Sequence, residues 1–137
     1  MPLDAAPRQL RNGWSHNRKA ADALDERAHL PASLMLRFYS VECGLKAALA
    51  KRQDLASIAD EPRYITHDLR VLLKDLNVPA THADALDNRR AIDAFGGTIA
   101  LKSIHEAWRY GRTLHGDDNK DAGDALNALH DWCKGEL

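Results

Sequence analysis

Arg109, Arg112 and His115 are the residues of this chain whose chemistry is easiest to interpret, because they lie close together near the end of a helical pattern. Arginine is a planar cation that binds phosphate oxygens through paired N–H groups, and histidine both donates and accepts a proton near neutral pH. Together these side chains are sufficient for phosphodiester chemistry without a metal ion. The segment 108–116 is therefore the first candidate for a functional site.

A scaffold of helices must position this segment, because apolar residues recur at spacings of three and four along most of the chain. The first helix is predicted over residues 7–28 and the second over 32–51, with Pro31 in its first turn. Thr66 is a predicted N-cap of a third helix, and Thr81 is a predicted N-cap of a short fourth one. The predicted buried residues are Trp14, Ala21, Leu24 and Ala28 in the first helix, Leu34, Phe38, Val41, Leu45, Ala48 and Leu49 in the second, and Leu69, Leu72, Leu73 and Leu76 in the third.

Two further helices are predicted in the C-terminal part of the chain. The pair Gly96-Gly97 interrupts the pattern, and a helix then runs over residues 98–114. The run Gly116-Asp117-Asp118-Asn119 is predicted to be a turn before the last helix. The predicted buried residues are Leu101, Ile104, Trp108 and Gly111 before the turn, and Ala122, Ala125, Leu126, Leu129, Trp132 and Cys133 after it.

Length and composition favour one domain over residues 1–137, an all-α, up-and-down bundle of four to five main helices. The 137 residues are 45% apolar, and Ala and Leu are abundant while aromatic residues are few. The net charge of −1 argues against strong non-specific binding to duplex nucleic acid. Cys43 and Cys133 lie within helical stripes, which favours inert, buried thiols and a cytoplasmic location. No apolar run is long enough for a signal peptide or for crossing a membrane.

Three segments, read in order, carry a resemblance to a known family. They are residues 38–49 (FYSVECGLKAAL), residues 66–73 (THDLRVLL) and the segment from Arg109 to His115, which an Ala- and Leu-rich helix follows. Together they resemble the HEPN superfamily (higher eukaryotes and prokaryotes nucleotide-binding domain) over residues 32–135. Many members are metal-independent ribonucleases with an Arg, four to six residues, and then a His. Arg109 and His115 fit this spacing, because five residues separate them.

The resemblance implies a helical bundle that dimerises and sets functional groups of both subunits around one cleft. In a ribonuclease of this kind, His115 would act as general acid or base, and Arg109 would bind the phosphate. The products would include a 2′,3′-cyclic phosphate, which makes RNA the implied substrate because DNA lacks the attacking hydroxyl. Arg112, Tyr110 and Glu42 are the further candidates for contact with the phosphate or nucleotide. No cofactor or metal ion is implied.

One position departs from the pattern of the nuclease members. The residue after the motif arginine is often Asn, Asp or His in those members, whereas it is Tyr110 in this chain. An Arg-Tyr pair is more similar to non-nuclease members that accompany nucleotidyltransferases. Those members usually have Pro next, however, and this chain has Gly111.

Several residues have simpler structural interpretations. Arg109 and Arg112 are interpretable as surface cations, and His115 as a residue that helps to end a helix. Glu42 and Lys46 are most simply an i,i+4 ion pair, with orientation of Arg109 by Glu42 as the alternative. The pair His67-Asp68 at a helix start is interpreted as architectural rather than as a metal site or as a pair that tunes a proton-transfer group. His115, Asp117 and Asp118 lack regular ligand spacing, so no metal site is expected there.

Three functions therefore remain open from the sequence. The first is a HEPN-like homodimer that acts on RNA as a toxin or defence endoribonuclease, with an antitoxin as a possible partner class. The second is a non-catalytic HEPN-like module that binds a nucleotide or a partner nucleotidyltransferase. The third is an interaction protein whose helices pack against another chain.

Overall fold

The computed structural model describes residues 5–25, 30–90, 97–112 and 114–137. These residues include six α-helices and one pair of short β-strands. The helices are α1 (Pro7–Asp25), α2 (Leu30–Gln53), α3 (Leu69–Asp75), α4 (Thr81–Leu86), α5 (Leu101–Arg109) and α6 (Gly116–Glu136). Two 3₁₀ turns, Ile58–Asp60 and Pro62–Tyr64, lie between α2 and α3. The strands β1 (Arg89–Arg90) and β2 (Thr98–Ile99) pair antiparallel. The all-α class predicted from the sequence is confirmed.

Helix α2 is the centre of the bundle, because it is buried on almost every side. Its predicted stripe of six apolar residues is fully buried, and so are polar residues on its other faces. The contacts of α1 with α2 show an antiparallel hairpin, because Gly13 faces Cys43 whereas Ala21 accepts a hydrogen bond from Ser33. Helix α6 runs parallel to α2. Gly123 in the first half of α6 lies near Leu34, and Cys133 near the end of α6 lies against Gly44.

Buried polar residues fix how α1, α2 and α6 pack together. The guanidinium of Arg37 on α2 pairs with Asp22 and Asp25 of α1. It also donates to the side-chain oxygen of Asn127 on α6 at 3.0 Å. A buried arginine is tolerated when its donors are satisfied in this way. Arg37 therefore specifies the relative positions of three helices.

The predicted N-caps at Thr66 and Thr81 were wrong by one or two residues. Asp68 is the N-cap of α3, because its carboxylate accepts from the backbone N–H of Arg70 at 3.0 Å. Thr66 instead accepts from the backbone N–H of Asp68. Thr81 is the first residue of α4, and Ala80 precedes it without a side-chain cap.

The boundaries around the predicted functional segment also differ from the prediction. Helix α5 ends at Arg109 rather than near Leu114, and Gly111 is exposed at φ +73° instead of buried. Glycine adopts this left-handed conformation without steric cost, so it ends the helix. Thr98 lies in β2 rather than at a helix start.

Residues 116–119 form the first turn of α6 rather than a separate turn. Asp117 and Asp118 lie in this turn, where the helix dipole favours acidic side chains. Predictions that involve Ala28, Gly96 and Thr113 lie outside the described residues. None of the described helices combines the length and the apolar character needed to cross a membrane.

Candidate functional site

Arg109 is presented at the surface by Tyr39. It is the last residue of α5, and its guanidinium carbon lies 5.9 Å from the centroid of the Tyr39 ring on α2. The Arg109 guanidinium also donates a hydrogen bond to the Tyr39 hydroxyl. This hydrogen bond, followed by smaller contributions that include Tyr110, raises the pKa of Arg109. The geometry gives an exposed cation that is held in place by an aromatic face.

His67 lies near the same tyrosine, with the centroids of the two rings 6.3 Å apart. Its Nδ1 is 2.5 Å from Oε1 of Glu42. The His67 side chain is 53% exposed, whereas the Glu42 side chain is only 10% exposed. An ionised carboxylate can only accept a hydrogen bond. With Glu42 in that form, Nδ1 is the donor, and the lone pair of a neutral His67 ring is on Nε2.

The backbone around His67 is held by the start of α3. Thr66 and Asp68 on either side of it form hydrogen bonds of 3.0 Å with backbone N–H groups, as described above. The sequence interpretation of His67-Asp68 as architectural is therefore correct for Asp68. His67 itself reaches away from these bonds to Glu42 on α2.

His105 of α5 forms the buried floor of this group of rings. Only 2% of the residue is exposed, and its ring lies 4.5 Å from that of His67 and stacks on Phe38 at 5.2 Å. Burial, and secondarily the neighbouring His67, lower the pKa of His105, so its ring is neutral at pH 7. Within the described residues its Nδ1 has no hydrogen-bond partner.

A groove of about 650 Å³ opens beside His67. Its walls come from the start of α1, from α2 and from residues 58–67. The groove is lined by Ala5, Gln9, Leu10, Glu42, Cys43, Lys46, Ile58, Ile65, Thr66 and His67. It is therefore an apolar space with an ion pair and an imidazole at one side.

His115 has different hydrogen-bond partners from those of Arg109. His115 precedes α6, its side chain is exposed, and its backbone N–H donates to the carbonyl of Arg90 at 3.0 Å. The side chains of Arg109 and His115 make no hydrogen bond or ring contact with each other within the described residues. His67, rather than His115, supplies an imidazole next to the tyrosine that Arg109 contacts.

The other candidate residues have different environments. Tyr110 follows α5 and is 76% exposed. Arg112 is half-buried, and its backbone N–H donates to the carbonyl of Ala107 at 2.8 Å. Glu42 is paired with Lys46 at 3.4 Å, as its i,i+4 spacing predicts, and with His67. Tyr39, rather than Glu42, is the α2 residue that binds Arg109.

Asp118 has a structural partner. Its buried carboxylate accepts from the backbone N–H of Arg90 at 2.6 Å and pairs with the Arg90 guanidinium at 3.0 Å. These bonds, the side-chain bond foremost, lower the pKa of Asp118 to about 2.

In the described part of the chain, no group of three or more His, Cys, Asp or Glu side chains is arranged to hold a metal ion.

Sequence reasoning did not identify Tyr39 and His105, and it left His67 without an assigned role. His105 had a usable signal, since it shares a helical face with Leu101, Ile104 and Trp108, where a histidine must be buried. The contact between His67 and His105 left no signal in the sequence, because this contact depends on how α5 packs against α2.

Comparison with known proteins adds no identification: the chain matches no protein-family model, no curated protein sequence and no solved structure.

Proposed function

We propose that this chain is a HEPN-like, RNA-directed protein that acts as a metal-independent endoribonuclease of toxin or defence type. One observation carries the proposal: Arg109 is exposed on the ring of Tyr39, with the imidazole of His67 beside the same ring. A fixed cation and an imidazole at one surface position supply the charge stabilisation and the proton transfer of metal-independent phosphodiester cleavage. The ordered motifs of residues 38–49, 66–73 and 109–115 support the family assignment within this proposal.

The proposed reaction uses the 2′-hydroxyl of RNA as the nucleophile. An imidazole takes the hydroxyl proton while the 2′-oxygen attacks the neighbouring phosphorus and the bond to the 5′-oxygen breaks. Arg109 stabilises the charge that develops on the phosphate oxygens. General acid–base catalysis of this kind contributes about 10²–10⁴-fold to the rate. The products are a 2′,3′-cyclic phosphate and a 5′-hydroxyl.

The exposed position of Arg109 suits a polymeric substrate better than a small enclosed ligand. Its guanidinium is open to solvent at the end of α5, so an RNA strand can approach it without a cavity opening. A homodimer that brings two copies of this surface together, an antitoxin partner and a cytoplasmic location belong to the same proposal.

Incubation of the purified protein with mixed RNA in the presence of a chelator tests this proposal. We expect cleavage by the wild type and loss of cleavage in Arg109→Ala. Arg63→Ala is the control, because Arg63 also lies on a tyrosine ring, at 5.1 Å from that of Tyr64, but is ion-paired with Asp75 at 3.0 Å. Intact RNA with the wild type, or equal cleavage by Arg109→Ala, would contradict the proposal.

The lack of contact between Arg109 and His115 favours one alternative, a non-catalytic module that binds a nucleotide or a nucleotidyltransferase. In that case Arg109 binds the phosphate of a nucleotide, and the protein does not cleave a phosphodiester bond. Thermal stabilisation by a nucleotide that is lost in Arg109→Ala, without RNA cleavage, would support this alternative.

A further inference from the structure

His67 and Glu42 form a contact that lies outside the sequence motif from Arg109 to His115. Glu42 is buried on α2 and its second oxygen, Oε2, is 3.4 Å from Nζ of Lys46. Oε1 is 2.5 Å from Nδ1 of His67. A buried carboxylate anchored on a helix and bonded to an exposed imidazole fixes both the tautomer and the direction of the ring.

We propose that His67, positioned by Glu42, is the histidine that exchanges a proton with the ribose of the bound RNA, next to the phosphate held by Arg109. This inference rests on the proposed RNA-directed function and assigns its proton-transfer residue. His67 is a catalytic residue in this scheme, because it contacts the substrate. Glu42 is a positioning residue that acts through the imidazole.

The direction of the His67 ring supports this assignment. Nδ1 is engaged by Glu42, so the proton acceptor of the neutral ring is Nε2. The His67 side chain is more than half exposed while Glu42 is buried. The imidazole thus extends from a buried anchor towards solvent, which is the arrangement that a proton acceptor for an external hydroxyl needs.

His105 supports the same ring from below. Its imidazole lies 4.5 Å from that of His67 and is held between Phe38 and Tyr39. Because burial keeps His105 neutral, it places no second positive charge against His67. His105 therefore provides a packed, uncharged surface that limits the positions of the His67 ring.

Tyr39 connects the two functional groups. The Arg109 guanidinium and the His67 imidazole lie at 5.9 Å and 6.3 Å from the centroid of its ring. In the proposed complex, one nucleotide unit binds with its phosphate at the guanidinium and its ribose at the imidazole. The groove beside His67 is apolar on its far side, which suits a nucleobase of the same strand.

The proton balance of the step is simple. Nε2 of His67 takes the proton of the 2′-hydroxyl as the 2′-oxygen bonds to phosphorus. The bond from phosphorus to the 5′-oxygen breaks, and the imidazolium returns the proton to that departing oxygen, directly or through one water molecule. The groups that face His67 and shape its pH dependence are Tyr39, Glu42 and Lys46 on α2, His105 and Arg109 on α5, and Asp68 in its own segment.

Cleavage kinetics of histidine variants test this inference. We expect His67→Gln to lower kcat for a short RNA by roughly 10²-fold or more while KM changes little. Glu42→Gln should lower kcat less and change the acidic limb of the pH profile, which a purely structural role would not do. His16→Gln, on the exposed surface of α1, is the control. A larger loss in His115→Gln than in His67→Gln would overturn the inference.

A binding measurement keeps the inference testable if no variant cleaves RNA. The ring-proton NMR signals of the histidines are followed during titration with 3′-adenosine monophosphate. We expect the His67 signals to shift, and the shift to be lost in Arg109→Ala. Shifts at His67 without cleavage would show that His67 binds a nucleotide and would contradict its role in proton transfer. Unchanged His67 signals, or shifts at His115 alone, would overturn the site assignment.

Discussion

Replacement of Gly44 by alanine measures how closely α1, α2 and α6 approach one another. A Cβ atom at this position would lie 2.7 Å from Sγ of Cys133, 2.7 Å from Cδ1 of Trp14 and 3.1 Å from Cβ of Cys133. Carbon atoms in protein interiors normally approach to about 3.5–4.0 Å. The alanine methyl group therefore forces both neighbouring side chains to move.

The expected magnitude follows from two opposing effects. Overpacking of a well-packed interior costs about 1–3 kcal/mol, while alanine is favoured over glycine within a helix by about 1 kcal/mol. Gly123→Ala on α6 is a matched control, because its Cβ would meet only Cδ2 of Leu34, at an ordinary 3.6 Å. The helix preference is common to both variants. The difference between their unfolding free energies is thus the steric cost alone, about 1–3 kcal/mol.

Urea unfolding followed by circular dichroism is the appropriate assay, because its midpoint and slope separate stability from compactness. We expect Gly44→Ala to be less stable than the wild type and Gly123→Ala to be as stable or more stable. Addition of Cys133→Ala should be less harmful in the Gly44→Ala background than in the wild type. Equal stability of the two glycine variants would refute the close contact of the three helices.

Two further predictions concern ionisable groups. Because Arg90 lowers the pKa of Asp118 from 3.8 to about 2, the ionised carboxylate stabilises the fold above pH 4, and this contribution disappears as the pH falls through about 2. Asp118→Asn should therefore lower the unfolding free energy at pH 7 by about 2 kcal/mol, with a difference from wild type that shrinks during acid titration; a constant difference would contradict this. Burial raises the pKa of Cys43 to about 11 and that of Cys133 to about 12, so both thiols should react slowly with a disulfide reagent at pH 8 and quickly after unfolding in urea. Fast reaction of the folded protein would show that the thiols are accessible.

The helical class and the core of α2 could be predicted from the sequence because both depend on local spacing. Leu34, Phe38, Val41 and Leu45 follow one another at three- and four-residue intervals, and each is buried. The predicted helix end near Leu114 was wrong for a reason that is also local. Gly111 was counted as part of a buried face, whereas its positive φ ends the helix at Arg109, five residues before Leu114.

The candidate site could be predicted only in part. Arg109 was singled out by its residue type, and it is exposed at a helix end as expected for a binding residue. The identity of its aromatic and imidazole neighbours depends on tertiary packing, since Tyr39, His67 and His105 come from three separate segments. Spacing within the motif favoured His115 because it is near in sequence, while the structure brings His67 to the shared tyrosine.

Equilibrium binding of a short, fluorescently labelled single-stranded RNA tests most directly whether Arg109 on Tyr39 is a phosphate-binding group. The substitution Arg109→Ala removes a charge-assisted contact to the phosphate, so it should raise Kd by about tenfold. Arg63→Ala removes another arginine that lies on a tyrosine ring, but one that is ion-paired with Asp75 and Glu61, and should leave Kd unchanged. The same Kd for wild type and Arg109→Ala, or equal weakening by both substitutions, would contradict the assignment of this site.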